Sequence, residues 1–217
     1  MGLFDFLKKT PVTKTSSAET STNQKAKELL DKVDPGFRQR QADLNYQNEL
    51  LSRVNAAREK YKIDKDLESA IKEYEYAFVE SKPPCATSQD IDLANLYIKA
   101  EQYDKAWGYL NQLILRRSFP DPEIKFYQAR ILKKEGKYAY AIEMIAIGYY
   151  YKSIPNKSFQ VEKFHKDISS SAKKLGWDQS KIDSVTKIVT SYSNKDNSEE
   201  TKLIKQLRDF MKDDYQS

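Results

Sequence analysis

The chain has 217 residues, 32% of them charged and 39% hydrophobic, with a mean hydropathy of -0.79 and a formal net charge of +5 from 37 basic and 32 acidic side chains. Fifteen Tyr and nine Phe argue against wholesale disorder, and so balanced a charge does not announce a nucleic-acid binder. A single cysteine, Cys85, excludes an intramolecular disulfide and fits a reducing compartment.

At the start of the chain, Leu3, Phe4 and Leu7 share a helical face with Phe6 beside them, and Lys8 and Lys9 follow at once. Residues 1–9 therefore read as an amphipathic apolar-basic foot for a membrane surface or a partner groove. Gly2 invites an N-myristoyl reading, but Phe6 stands where that motif needs Ser or Thr. No small-residue cleavage site follows, so the segment is not read as a secretory signal. Residues 10–23, "TPVTKTSSAETSTN", are Thr/Ser-rich with almost nothing to bury and read as a flexible linker. No apolar run reaches the roughly 18 residues of a membrane span. The expected location is cytoplasmic, with peripheral attachment at the inner face of the membrane as the variant that residues 1–9 would bring.

Helical periodicity dominates residues 24–155, and a more polar helical tail occupies 156–217. Leu44, Leu50, Leu51 and Val54 with few breakers predict a long helix from Phe37 to Tyr61. Beyond it one phrase occurs twice, as "YIKAEQYDKAW" from Tyr97 and "LKKEGKYAYAI" from Leu132. Ala70, Ala106 and Ala141 recur at spacings of 36 and 35, and twelve residues before the last two lie Ala94 and Ala129. Tyr61, Tyr97 and Leu132 occupy one equivalent place, and Tyr74, Leu110 and Ile145 another. Paired small residues let two helices approach closely while larger ones fill the groove between them. Residues 101–104 and 135–138 are the expected corners, with Gly136 in the left-handed conformation that ends a helix. Asp121 should cap the next helix, with Pro122 at its first position. Phe159, Phe164 and Ile168 predict a helix ending near Gly176, and Asp178 should cap another, buried through Ile182, Val185, Ile188 and Val189. A last apolar stripe, Leu203, Ile204, Leu207, Phe210 and Met211, should cover the preceding repeat.

The period and the small-residue pairs resemble the tetratricopeptide repeat (TPR) over residues 51–151, a little under half of the chain. Residues 87–120 match best, with Leu93, Ala94, Tyr97, Ala106, Leu110 and the closing Pro120, and the unit from Asp121 to about Lys152 follows. The first unit departs, with Arg58 where a small residue belongs and Pro83-Pro84 closing it. The resemblance implies an all-α, right-handed α-solenoid of about three TPR-like helix pairs with flanking N- and C-terminal helices. It also implies a concave surface lined by the first helix of each pair. Carried over position by position, the inward residues are Asn55, Ala56, Glu59 and Lys62, then Ile91, Asp92, Asn95, Ile98 and Lys99, then Glu123, Phe126, Tyr127, Arg130, Lys133 and Lys134. The partner-binding set expected from these is Asn95, Ile98, Lys99, Phe126, Tyr127, Arg130, Lys133 and Lys134, with Arg130 foremost because its fork can hold a carboxylate bidentately. The repeats that grip the acidic tail of heat-shock chaperones use Lys, Asn and Arg where this chain has Asn55, Glu59, Asp92, Glu123 and Tyr127. The resemblance therefore does not extend to that role.

Catalytic patterns are missing from the sequence. Cys85 and His165 stand far apart with no motif around either, and Cys85 is read as a surface cysteine in a loop. No spaced Cys/His pairs offer a zinc or other metal site, and six scattered glycines make no phosphate-cradling loop, so no cofactor is expected. Arg116-Arg117, Lys133-Lys134 and Lys173-Lys174 are too dispersed for a nucleic-acid stripe, and Tyr149-Tyr150-Tyr151 read as core beside Ile145 and Ile147 rather than as base-stacking platforms. The expectation is a non-enzymatic adaptor that binds a protein or peptide. A membrane-associated assembly factor tethered by residues 1–9 is the alternative, with an RNA-binding regulator a more distant third. Deleting residues 1–9 should abolish flotation of the full chain with anionic liposomes if that segment is a foot, and equal flotation of both chains would rule the tether out.

Overall fold

A computed structural model describes residues 34–156, 158–193 and 197–216, and every regular element among them is helical. The chain divides into two units, Met1–Ser52 and Arg53–Ser217. Residues 1–9, with Leu3, Phe4, Phe6, Leu7, Lys8 and Lys9, and the 10–23 linker lie outside the described residues.

In the first unit Asp34 opens helix α1 (Phe37–Asp64). Its carbonyl accepts from the Phe37 amide at 3.0 Å, and its carboxylate accepts from the Gly36 amide at 3.2 Å and pairs with Arg40. An acidic group there satisfies free amides and sits at the positive end of the helix dipole.

The second unit takes in the end of α1 and then α2 (Leu67–Glu75), which runs on as a single π turn, Tyr76–Glu80. A 3₁₀ turn, Ser88–Asp90, leads into α3 (Ile91–Lys99), followed by α4 (Tyr103–Arg116), α5 (Pro122–Lys134) and α6 (Tyr138–Asn156). The chain continues through α7 (Val161–Lys174), α8 (Gln179–Tyr192) and α9 (Glu200–Phe210). The expected caps are present: Asp121 accepts from the Glu123 amide at 2.8 Å with Pro122 next, and Asp178 accepts from the Lys181 amide at 2.8 Å. Consecutive helices pack as neighbours from α2 through α9, and α3 also touches α5.

Cys85 corrects its expected surface position. It lies in the loop after Pro83-Pro84 but is only 7% exposed, because its amide donates to the Ala77 carbonyl at 2.8 Å and draws the loop onto the end of α2. Burial pushes its thiol pKa up, with Asp90 adding to the shift.

Three corners share one hydrogen-bond pattern. The Gln102, Lys137 and Trp177 amides donate to the Tyr97, Leu132 and Ala172 carbonyls at 2.9, 2.8 and 2.9 Å, five residues back in each case. The residue just before each donor, Glu101, Gly136 or Gly176, has φ of 58°, 78° or 69°, the left-handed cap that closes a helix end this way. Lys65, between α1 and α2, has φ of 58° as well. Five residues beyond Lys65, Glu101 and Gly136 come Ala70, Ala106 and Ala141, all at most 2% exposed. Nine residues beyond come Tyr74, Leu110 and Ile145, likewise buried. The turn at Gly176 carries the same backbone pattern, with Val185 buried nine residues on, but Lys181 takes the place of the small residue.

The core gathers around α6. Ala141, Ile142, Ile145, Ala146, Ile147, Tyr149, Tyr150 and Tyr151 are all buried, so the helix is covered over most of its circumference by α5, α7, α8, α9 and the terminal turn Asp214–Gln216, with Tyr140 left exposed. The tyrosine triplet is thus core, and Phe164, Ile168, Val185, Val189, Leu203, Leu207 and Met211 complete the cluster. Gly148 admits the Phe126 ring, since a Cβ there would lie 2.6 Å from it. One charge is enclosed as well. Glu143 is 0% exposed, accepts two bonds from Arg208 on α9, both 2.9 Å, and a third from the Tyr215 hydroxyl at 2.6 Å. Burial and the Glu143 carboxylate push the Tyr215 phenol pKa well up.

A left-handed residue with a side chain is strained where glycine is not. Glu101→Gly should therefore stabilise the protein by about 1 kcal/mol and Gly136→Ala destabilise it by about as much, both read from urea midpoints. Arg208→Met leaves Glu143 with one donor and should cost about 2 kcal/mol. Most of that loss should vanish in the Glu143→Gln background, as a double-mutant cycle would measure.

Candidate functional site

The face formed by α3 and α5 carries most of the expected partner-binding residues, and three polar ties cross it and its neighbours. Arg58 on α1 pairs with Asp92 on α3, 34 residues on, and also engages the Tyr74 hydroxyl. Arg130 on α5 donates to the Asn95 side-chain oxygen on α3 at 3.1 Å, across 35 residues. Lys133 on α5 donates to the Asp167 carbonyl on α7 at 2.8 Å, across 34 residues, with Ser170 Oγ at 3.4 Å. Each tie joins one helix to the next but one, with a sequence step of 34 or 35 residues. Asp167 keeps its carboxylate for the Tyr149 hydroxyl at 2.7 Å, which fixes α7 on α6.

The ties sort the expected residues by what remains available. Asn95, Lys99, Tyr127, Arg130 and Lys134 are exposed or half-buried on this face. Ile98 is only 4% exposed and belongs to the packing of α3, so it offers a partner nothing. Phe126 is half-buried, edge-on to Tyr149 with centroids 5.5 Å apart and pressed against Gly148. Lys133 is half-buried and spent on α7, and burial holds its ammonium pKa below the ordinary lysine value. Arg130, the foremost expectation, lies over the Tyr127 ring at 5.2 Å while bonded to Asn95. Lys99 lies over the Tyr61 ring at 4.9 Å. Both cations rest on aromatic faces, which holds them in place without neutralising them.

A cleft of about 250 Å³ opens between the end of α1, α2 and α3, lined in part by Arg58, Tyr61, Tyr74, Asp92, Asn95 and Lys99. That is smaller than the roughly 300–1,000 Å³ of a small-molecule site and suits a single side chain of a longer ligand. Tyr61 and Tyr74 were legible only as packing residues of the first of the three sequence repeats. Their role as cleft walls depends on the neighbouring helix, which leaves no local signal. Among the described residues, no three His, Cys, Asp or Glu side chains are grouped to hold a metal, and no helix is long and apolar enough to cross a membrane. His165 bonds the Thr186 hydroxyl at 2.8 Å within the α7–α8 packing.

No protein-family model, no curated protein and no solved structure matches the chain.

Proposed function

We propose that the second unit is a TPR-like array of helix pairs, and that the protein is a non-enzymatic adaptor holding a protein or peptide segment on the face of its first helices. The observation that carries this reading is the set of ties Arg58–Asp92, Asn95–Arg130 and Lys133–Asp167, which repeat at 34, 35 and 34 residues along one side of successive elements. A recurring step of that length, with the turns at Glu101, Gly136 and Gly176 bonded alike, is what stacked helix pairs of one design produce. On this reading α1–α2, α3–α4, α5–α6 and α7–α8 are the pairs, and α9 closes the last of them. Stacked pairs leave an extended face with room for another chain, and the single-side-chain cleft beside Tyr61 fits a peptide better than a metabolite.

Affinity capture with the full chain tests the reading. Arg130→Glu with Lys134→Glu should lose partners that the wild type retains, by about tenfold or more in recovered material, while the far-UV spectrum stays unchanged because both side chains are exposed. Identical partners from both chains would place binding on another surface.

A further inference from the structure

The charge on the first-helix face is not evenly spent. Two of its carboxylates already have cations: Asp92 is paired with Arg58, and Glu59 with Lys62 at 2.6 Å. Glu123, in the first turn of α5, is ion-paired with no cation among the described residues; it lies at the opposite end of that helix from Lys134, and its charge reaches Tyr127. Lys99, Arg130 and Lys134 pair with no carboxylate among the described residues. They are also neighbours. Arg130 bonds Asn95, which lies one turn before Lys99 on α3, and Lys134 lies one turn after Arg130 on α5. A lysine in a last turn also complements the helix dipole, which accounts for Lys99 and Lys134. Arg130, a full turn earlier, has no such reason to be there.

We infer that this cluster recognises an acidic segment of a partner protein, with carboxylates at Lys99, Arg130 and Lys134 and one larger side chain in the cleft beside Tyr61 and Tyr74. The inference rests on the reading of the first-helix face as the partner surface and adds the chemistry of what lies on it. Two features favour carboxylates. The guanidinium of Arg130 and the ammonium of Lys99 are held over Tyr127 and Tyr61, so little side-chain freedom is lost on binding. Asn95, between them, keeps its amide hydrogens for a peptide carbonyl while its oxygen accepts from Arg130. Of the acids that would repel a carboxylate, Glu59 and Asp92 are neutralised and Glu123 stays at the N-terminal end of α5, whereas the unspent positive charge lies toward the C-terminal ends of the helices.

The test is selection from a random twelve-residue peptide display library by the full chain, repeated with Lys99→Glu, Arg130→Glu, and with Arg130→Gln as the gentler variant. The wild type should select sequences enriched in Asp and Glu with one aromatic or large aliphatic residue. The charge-reversed chain should bind those peptides at least tenfold more weakly and Arg130→Gln about threefold more weakly, with affinity falling as salt is raised. Neutral or basic peptides whose binding the charge reversal still weakens would overturn the acidic chemistry and leave the groove standing. Peptides selected equally by wild type and variant, or no selection at all, would overturn both. Binding of a uridine oligonucleotide as tight as that of the best peptide would overturn the inference in favour of general polyanion attraction.

Discussion

The second unit depends on enclosing one helix. From Ala141 to Tyr151 every side chain of α6 but the half-buried Met144 is buried, so an arrangement with a broad side of it in water would not be stable. Five elements must therefore meet on it, and their positions follow. α5 lies along it with Phe126 seated against Gly148, α7 is held through Tyr149 and Asp167, and α8 and α9 supply Val185, Val189, Leu203 and Leu207. Glu143 adds direction to an otherwise apolar contact. A fully buried carboxylate needs its donors in one geometry, so Arg208 and Tyr215 fix the rotation and register of the last helix on α6, where leucines alone would tolerate sliding.

With α5 fixed by α6, the face that α5 shares with α3 is fixed as well. Arg130 and Lys133 sit one turn apart and tie in opposite directions, to α3 and to α7. The side of the unit proposed to meet a partner is thus stiffened by the hydrogen bonds that cross it, and its free cations stand on a framework that does not need a ligand to form. Such preorganisation reduces the ordering cost of association.

How much of this was legible in the sequence depended on how local each cause was. Gly136, Asp121 with Pro122, and Asp178 act through their own backbone within a few residues, and all were readable. The small residues Ala106 and Ala141 were readable because they recur. The turn at Gly176 repeats the backbone of the other corners but not their side chains: Lys181 stands where an alanine would mark the pair, and the spacing from Gly136 is 40 rather than 35. Ile98 was misplaced because α3 is only nine residues long and buries five of them, leaving a stripe of Asp92, Asn95 and Lys99. Glu143 is the one charged residue between Tyr138 and Tyr151, and nothing near it in the sequence says what would neutralise it. Its partners lie 65 and 72 residues further on, a distance over which sequence pattern carries no information.

That separation also has a temporal side. During synthesis α6 emerges complete while Arg208 is still more than 50 residues of translation away, counted from Asn156, which at roughly 5–20 residues per second is an interval of several seconds. Over that time α6, the most apolar helix among the described residues, is covered only in part, first by α5 and then by α7 and α8 as they are made, and its waiting carboxylate stays hydrated. Glu143 thus serves the nascent chain as well as the folded one: a charge on a partly covered apolar helix discourages it from packing against another copy of itself before its own last helix arrives.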